Sequence, residues 1–381
     1  MKILHVGLGD CSNIGDQAIT DCLSKLLNCS SDIEYDFYKL NYTSSNIQGR
    51  EGGVPSSKGL KDRLRRIKWI KSIYELILPF VMWRYYLKLY ALAKKNDRVL
   101  IGGGNVLMDV DLLFPWHLFI ISIICKLAGS SSMLFVAGVG PLNTWSGRWL
   151  ARRFAHNLSG AVVRDERSKK ILLDFEPSMK VSVLPDPVFY GREILRISNH
   201  ILDSKKTFKI LVSVFPYGSG RVSHKESGNG EVLYLGVIQE LLSELNSFLN
   251  VNPEVDILVT DSNRDYDIAR KLSEKINGNI LVPHSSELLL EMVADADFVI
   301  ATRMHAAIAA STMGTPFMAL SWQEKFSSCF DVVELKSRVF AIDKLVEGEG
   351  ETGIDFEKLM TVPVINMDKK QYTDLLLGGV L

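Results

Sequence analysis

The most suggestive reactive pair in this chain is Arg303 and His305, which lie two residues apart in the string TRMHAA. The pair follows the apolar run Phe298–Ala301 and opens an alanine-rich segment, a pattern that predicts a strand leading directly into a helix. A guanidinium and a titratable imidazole at a helix N-terminus favour an anionic ligand. The alternative is structural, namely a buried histidine that is satisfied by the backbone.

A run of three glycines offers backbone amides for the same kind of ligand. Gly102, Gly103 and Gly104 follow the apolar run Val99–Ile101 and precede Asn105. Three consecutive glycines after a strand predict a turn whose backbone must approach another group closely.

A second glycine-punctuated segment, GLGDCSNIGDQA, runs from the first predicted strand into a helix. Asn13 and Asp16 stand at the entrance of that helix, where polar side chains can reach a ligand. Asp16 has an alternative role as the cap of the helix.

Two further segments place charged groups directly after predicted strands. Arg164 follows the run Ala161–Val163, with Ser168 in the helix after it, and Asp186 lies between two prolines in VLPDPVF. Both residues have purely structural alternatives. Arginines are common at charged helix starts, and an aspartate in a turn often caps the next helix.

All these residues require a scaffold, and the order of the elements indicates which one. Short apolar runs that end in turns alternate with helical segments through both halves of the chain, which is typical of parallel sheets wrapped by helices. The length of 381 residues also favours two domains. We therefore expect an α/β protein with two doubly wound domains that face each other across a cleft, where strand ends bind ligands.

The domain limits follow from the same pattern. We expect an N-terminal domain over residues 1–197, a polar linker near 198–207, a C-terminal domain over 208–345 that carries Arg303 and His305, and an extension over 346–381.

Charge is balanced overall but not locally. Lys plus Arg and Asp plus Glu both total 44, which argues against a nucleic-acid partner. Residues 58–98, in contrast, hold twelve basic and three acidic residues interleaved with aromatics. This helical segment either packs its aromatics into the N-terminal domain or, through residues 61–95, rests on an anionic membrane surface.

Cysteine and histidine usage points away from disulfides and metals. The five cysteines are scattered without CxxC spacing, the histidines are dispersed, and no apolar stretch reaches the length of a membrane span. We expect a cytoplasmic protein that needs no metal or other cofactor.

Taken together, these strings resemble the polysaccharide pyruvyl transferase family. The resemblance covers most of the chain and depends on the order of its motifs: NIGD at 13–16, GGGN at 102–105, GVGP at 138–141, RD..S at 164–168, PDP at 185–187 and TRMH at 302–305. It implies a GT-B-like fold of two Rossmann-like domains. It also implies transfer of a pyruvyl group from phosphoenolpyruvate to a sugar of a cell-surface polysaccharide, as a ketal.

The resemblance also implies roles for the residues named above. His305 would act as acid and base, and Arg303 and Arg164 would bind the carboxylate and phosphate of phosphoenolpyruvate, with Lys325 after the last strand. Trp322-Gln323 departs from the aromatic-Asp pattern usual before that lysine. The remaining substrate contacts would come from Gly102, Gly103, Gly104, Asn105, Asn13 and Ser168.

Two points stay open at this stage. Either Asp16 or Asp186 could deprotonate a hydroxyl of the acceptor, which would be a sugar or a lipid-linked oligosaccharide. Other functions also fit the predicted fold: a nucleotide-sugar glycosyltransferase or a non-catalytic sugar-binding assembly protein. Retaining glycosyltransferases usually carry two glutamates eight residues apart, whereas Glu287 has Asp295 at that offset.

Overall fold

A computed structural model describes residues 1–9, 11–40, 82–197, 207–217, 230–347, 354–365, 368 and 370–377. Two parallel sheets of six strands each form the framework, so the expected α/β architecture is confirmed. The central strands are buried on both faces, which is why they occur as continuous apolar runs in the sequence. Most of the predicted linker lies outside the described residues, and so do residues 41–81, which include residues 58–81 of the basic segment.

The first sheet has the strand order β2-β1-β3-β4-β5-β6. Its strands are β1 (Lys2–Gly7), β2 (Glu34–Lys39), β3 (Arg98–Leu107), β4 (Ser131–Val139), β5 (Gly160–Val163) and β6 (Val181–Val183). The helices described in this half are α1 (Ile14–Asn28), α2 (Trp83–Ala93), α3 (Leu113–Ala128), α4 (Trp145–His156), α5 (Glu166–Phe175) and α6 (Gly191–Leu195), the last preceded by a 3-10 turn (Pro187–Tyr190).

The second sheet has the strand order β12-β11-β10-β7-β8-β9. Its strands are β7 (Lys209–Ser213), β8 (Glu254–Leu258), β9 (Asn279–Leu281), β10 (Phe298–Ala301), β11 (Phe317–Ser321) and β12 (Val339–Ala341). The helices are α7 (Gly230–Leu249), α8 (Tyr266–Ile276), α9 (Ser286–Ala294), α10 (Met304–Met313), α11 (Glu324–Asp331), α12 (Ile342–Val346), α13 (Phe356–Leu359) and α14 (Gln371–Leu377). A 3-10 turn (Lys336–Arg338) precedes β12.

The two faces of the first sheet are packed differently. Helices α2, α3 and α4 cover one face, with buried Leu89, Leu118 and Phe154 in a common core. Helix α1 covers the other face, and its Ile19 packs into a core that continues to Ile308 of α10 in the second half. Helix α1 is therefore a wall shared by both sheets.

The start of α1 bridges the carboxyl ends of both sheets. The Ile14 amide donates to the Thr260 carbonyl at 2.9 Å, and the Ser12 hydroxyl donates to Asp261 Oδ1 at 2.9 Å. Helix α14 also returns to the first sheet, because the buried Tyr372 hydroxyl donates to the Pro185 carbonyl. The two halves are therefore in contact through the start of α1 and through α14.

The prediction of a turn at the three glycines was wrong, because β3 continues through them to Leu107. Gly103 and Gly104 have φ values of 79° and 113°, which glycine adopts without steric cost. A Cβ atom at Gly102 would lie 2.1 Å from the Phe135 carbonyl oxygen of the neighbouring strand. The absence of a side chain at Gly102 thus lets β3 lie close to the Phe135 carbonyl of β4, which is a contact within the protein.

Within the described residues, every helix is too short or too polar to span a lipid bilayer.

Candidate active site

Three residues singled out in the sequence form one buried charged cluster. Arg164 follows β5, Asp186 precedes the 3-10 turn, and His305 lies in the first turn of α10. Arg164 Nη1 donates to Asp186 Oδ2 at 2.9 Å, and His305 Nε2 lies 3.5 Å from the same oxygen. Because the strands are parallel, their carboxyl ends bring these distant segments to one place.

The Asp186 carboxylate is the centre of the cluster. Burial alone would raise its pKa, but the neighbouring His305 and Arg164 outweigh burial and hold the pKa below its usual value. Asp186 Oδ1 also accepts a hydrogen bond from the Val188 amide at 3.1 Å. Asp186 therefore caps the 3-10 turn, as its structural alternative proposed, and also lies against the Arg164 guanidinium and the His305 imidazole.

His305 is enclosed rather than exposed to a cleft. It is 7% exposed, and a Cβ atom at Gly15 would lie 2.2 Å from its Nδ1 atom, so the start of α1 packs on the imidazole ring. Within the described residues, no hydrogen bond satisfies its buried Nε2 atom. The structural alternative for His305 was a buried ring whose nitrogens bond to the backbone, and the Nε2 atom makes no such bond.

Asp16 lies on the same side of α1 but does not cap it. The cap is Asn13, whose Oδ1 accepts from the Gly15 amide at 3.1 Å, and Asn13 Nδ2 donates to Asp16 Oδ2 at 2.9 Å. Burial raises the pKa of Asp16, although positive charge on His305 and Arg164 opposes the shift. The capping alternative for Asp16 was therefore wrong, and Asn13 has the structural role.

Asp16 also explains one of the glycines. A Cβ atom at Gly104 would lie 2.8 Å from Asp16 Oδ1, so the carboxylate rests against the glycine strand. Gly104 makes room for Asp16 in the way that Gly15 makes room for His305.

Lys325 belongs to this charged neighbourhood despite the unusual residues before it. It lies in the first turn of α11, and its Nζ atom is 5.8 Å from the Trp322 ring centroid. Burial lowers the pKa of Lys325 to about 8; the positive charge of Arg164 acts in the same direction, and Asp16 acts against it.

Arg303 has surroundings different from those of His305. Its Nε donates to Asp265 Oδ2 at 3.0 Å, and its Nη2 pairs with Asp265 Oδ1. Its backbone amide donates to the Ser213 hydroxyl at 3.2 Å. Asp265 was not among the residues predicted from the sequence, although it directly precedes α8 and follows the end of β8, as the other candidates follow strand ends.

Ser168 and Asn105 are held by the protein to different degrees. The Ser168 hydroxyl donates to Asp165 Oδ2 at 2.8 Å and accepts from the Val139 amide at 2.9 Å. This buried hydroxyl links β4 to α5, and its role as a substrate contact stays a prediction. Asn105 donates from Nδ2 to the Gly140 carbonyl at 3.0 Å, and its Oδ1 has no hydrogen-bond partner among the described residues.

A second buried histidine supports the glycine strand and was also missed. His5 Nδ1 lies 2.7 Å from the Tyr35 hydroxyl, and its Nε2 lies 3.4 Å from the Gly102 carbonyl oxygen. Burial lowers the pKa of His5 to about 4, which keeps the ring neutral at physiological pH. The sequence signal for a buried histidine was the presence of His5 inside the apolar run KILHVG.

A cavity of about 260 Å³ opens between the start of α1 and the ends of β8 and β9, and neither Arg164, Asp186 nor His305 lines it. Polar groups on its wall include Ser12, Gln17, Ser262 and His284. No group of three potential metal ligands occurs among the described residues.

Comparisons with known proteins agree with this architecture. A family model for polysaccharide pyruvyl transferase matches residues 13–324 of the chain. No curated protein matches the chain.

Solved structures of similar fold are sugar-nucleotide epimerases. UDP-GlcNAc 2-epimerase from Neisseria meningitidis, bound to UDP-GlcNAc, has a TM-score of 0.59 at 13% identity and covers 100% of this chain and 99% of its own. A putative UDP-N-acetylglucosamine 2-epimerase from Listeria monocytogenes has a TM-score of 0.59 at 11% identity, covering 99% and 94%. The expected GT-B-like fold is thereby confirmed.

Proposed function

The chain belongs to the polysaccharide pyruvyl transferase family, and from this premise we propose that it transfers a pyruvyl group from phosphoenolpyruvate to two hydroxyls of one sugar, forming a ketal. The observation that carries this proposal is the buried His305 imidazole beside the ion pair of Arg164 and Asp186.

The reaction needs an acid, anion-binding groups and a base. Protonation of the methylene carbon of phosphoenolpyruvate gives an oxocarbenium ion at C2, to which the first sugar hydroxyl adds with loss of its proton. Cleavage of the C2–O bond then releases phosphate and regenerates an oxocarbenium ion. The second hydroxyl adds to this ion and loses its proton, which completes the ketal.

His305 is the acid in this scheme. Imidazole titrates near neutral pH and is the commonest proton donor in enzymes. The Nε2 atom of His305 supports this role, because it makes no hydrogen bond among the described residues and the Asp186 carboxylate 3.5 Å away would stabilise its protonated form. Since the start of α1 packs on this ring, phosphoenolpyruvate reaches it when α1 and α10 separate.

Arg164 and Lys325 bind the anionic donor. The Arg164 guanidinium uses one N–H group for Asp186, which leaves donors for a carboxylate or phosphate. Arg303 stays a candidate for the same role through the family resemblance, but its pairing with Asp265 leaves only part of its donor set for a ligand.

Asp16 is a better base than Asp186. The pKa of Asp16 is raised by burial, whereas that of Asp186 is lowered by its cationic neighbours. A carboxylate with a raised pKa accepts a proton from a hydroxyl more readily. We therefore assign deprotonation of the acceptor to Asp16.

The acceptor is a sugar or a lipid-linked oligosaccharide. The cavity beside the start of α1 would hold a part of it that does not react, because neither Asp16 nor His305 lines that cavity. Ser12, Gln17 and Ser262 line this cavity and offer hydrogen bonds of the kind that sugar hydroxyls make. An acceptor on a lipid carrier implies a cytoplasmic enzyme at the inner face of the membrane. The sequence hypothesis of membrane contact through residues 61–95 falls mainly outside the described residues.

The test is to incubate the full chain separately with labelled phosphoenolpyruvate and with labelled UDP-sugars, each with a panel of acceptor sugars. We expect label transfer from phosphoenolpyruvate, with equal release of phosphate and no effect of chelators. Transfer from a UDP-sugar instead would establish a glycosyltransferase, and binding without transfer would establish a sugar-binding protein.

A further inference from the structure

Helices α2, α3 and α4 form a surface with a pronounced charge asymmetry. Helix α3 packs between the other two, and none of the three contains an aspartate or a glutamate. The exposed cations of these helices are Arg84, Lys88, Lys126, Arg148, Arg152 and Arg153. In a chain of formal net charge zero, a three-helix surface without a carboxylate is strongly biased toward an anionic partner. We call this surface the basic-aromatic face.

Large apolar side chains lie among these cations. Trp145 is 82% exposed and Leu127 71%, and Trp83, Leu87 and Trp149 are also exposed. Tryptophan prefers the boundary between lipid headgroups and acyl chains.

The cations and the tryptophans are in direct contact on this face. The Arg84 guanidinium lies 5.6 Å from the Trp83 ring centroid, and the Arg153 guanidinium lies 5.4 Å from that of Trp149. Cations next to exposed tryptophans combine the two interactions that hold a protein on a bilayer surface.

The orientation of the helices connects this face to the candidate site. Trp83 and Trp145 are the first residues of α2 and α4, and helices on a parallel sheet begin near the carboxyl ends of its strands. Both tryptophans therefore lie at the end of the face nearest the sheet edge that carries Arg164. Contact with a membrane there would bring lipid-borne groups toward the cleft.

The charge of the face also decides which occupant fits it. Residues 58–81, which precede α2 in the chain, hold seven Lys or Arg and two acidic residues, so like charge disfavours that segment as a cover. A second copy of the chain would bring the same cations against each other.

We propose that the basic-aromatic face docks the protein on an anionic lipid bilayer. This inference rests on the proposed function in one respect: a lipid-linked acceptor would be located at the membrane on which the protein docks. The test below does not use activity, so the failure of one proposal is distinguishable from the failure of the other.

The test is co-sedimentation of the full chain with vesicles of phosphatidylcholine alone and of phosphatidylcholine with phosphatidylglycerol, at low and at physiological salt. Wild-type protein should pellet with the anionic vesicles at low salt and less so as salt rises. The variant Arg148→Glu/Arg152→Glu/Arg153→Glu should bind at least about tenfold more weakly, because each basic residue near an anionic surface contributes to binding. Trp145→Ser should weaken binding without a change in charge.

A matched control reverses three exposed cations of the second half, Arg270→Glu/Lys275→Glu/Lys358→Glu, and should bind like the wild type. Circular dichroism checks that all variants are folded. The proposal is overturned if wild-type protein stays in the supernatant, if the α4 variant binds as well as the control, or if single-stranded RNA binds more tightly than the vesicles at the same salt.

Discussion

Among single residues, His305, Asp186 and Arg164 form one unit, because one oxygen of the Asp186 carboxylate lies within 3.5 Å of both the Arg164 guanidinium and the His305 imidazole. Removing one member changes the charge that the other two experience. Three measurements separate the roles of the residues in this neighbourhood.

The first measurement concerns catalysis by His305. His305→Ala should lower kcat by about 10²–10⁴-fold, the usual contribution of a general acid, without loss of the native circular dichroism spectrum. His156, an exposed histidine that pairs with Glu176 at 2.8 Å, is the matched control, and His156→Ala should keep full activity. Unchanged turnover in a folded His305→Ala variant would reject the assigned role.

The second measurement concerns the stability supplied by the buried ion pair. Asp186→Asn leaves the Arg164 guanidinium buried without its counter-charge, which should cost about 3–5 kcal/mol of unfolding free energy at pH 7. Because the pKa of Asp186 is lowered in the folded state, its contribution is present above the ordinary pKa of about 4 and is lost as pH falls through the lowered value.

Urea unfolding of wild type and variant at pH 7 and below pH 4 measures this effect, and the difference should shrink in acid. The control is Asp331→Asn, which removes a surface pair with Lys336 whose side chains are both 60% exposed. It should change the free energy by no more than about 1 kcal/mol. Equal stability of Asp186→Asn and the wild type at pH 7 would contradict the account.

The third measurement concerns Lys325, whose pKa is lowered to about 8. Lys325 loses its charge as pH rises through that value, so the KM for phosphoenolpyruvate should increase between pH 7 and pH 9, where the donor phosphate is already fully ionised. Lys325→Arg keeps its charge throughout and should flatten this pH dependence. If KM is as pH-dependent in Lys325→Arg as in the wild type, Lys325 does not bind the donor.

At the scale of secondary-structure elements, the start of α1 is the part that most constrains the site. A Cβ atom at Gly15 would overlap the His305 ring, whereas one at Gly236 of α7 would meet nothing within 4 Å. Gly15→Ala should therefore destabilise the protein by about 1–3 kcal/mol, and Gly236→Ala should stabilise it by about 0.5–1 kcal/mol through helix propensity. Thermal unfolding of both variants tests this pair, and a Gly15→Ala variant as stable as wild type would show that α1 does not pack on His305.

The elements that could be predicted from the sequence are those with strong local patterns. Central strands such as β10 (Phe298–Ala301) appear as continuous apolar runs and were predicted correctly. Two of the four edge strands in the described sheets, β2 (Glu34–Lys39) and β12 (Val339–Ala341), were missed. An edge strand pairs on one side only and tolerates exposed residues, so its apolar pattern is weaker. The course of β3 through three glycines depends on the neighbouring Phe135 carbonyl, which no local pattern indicates.

The site was predictable to a similar degree. Strand-end positions identified Arg164, Asp186 and His305 as candidates, and the structure brings these three together. The sequence could not show that Arg303 turns to Asp265 or that His305 is covered by Gly15, because these contacts depend on how distant segments pack.

At the scale of the whole molecule, the two halves share one core and meet at the start of α1. The Ser12–Asp261 hydrogen bond joins residues 249 positions apart, and Tyr372 of α14 bonds to the Pro185 carbonyl one residue before Asp186. Helix α14, within the C-terminal extension predicted over residues 346–381, thus lies against the candidate site. The charged cluster is enclosed by parts of both halves, because His305 and Gly15 pack together and Arg164 and Asp186 come from the first half.

Ketal formation through protonation of the methylene carbon of phosphoenolpyruvate is tested most directly in heavy water. The reaction is run there with phosphoenolpyruvate and an acceptor sugar, and the product is analysed by NMR and mass spectrometry. If the methylene carbon is protonated before the sugar hydroxyls add, each ketal methyl group carries one deuterium and one phosphate is released per ketal. The His305→Ala variant should form the ketal and release phosphate much more slowly than the wild type. A ketal whose methyl group carries no deuterium, or a product formed from a UDP-sugar without phosphoenolpyruvate, would contradict the account.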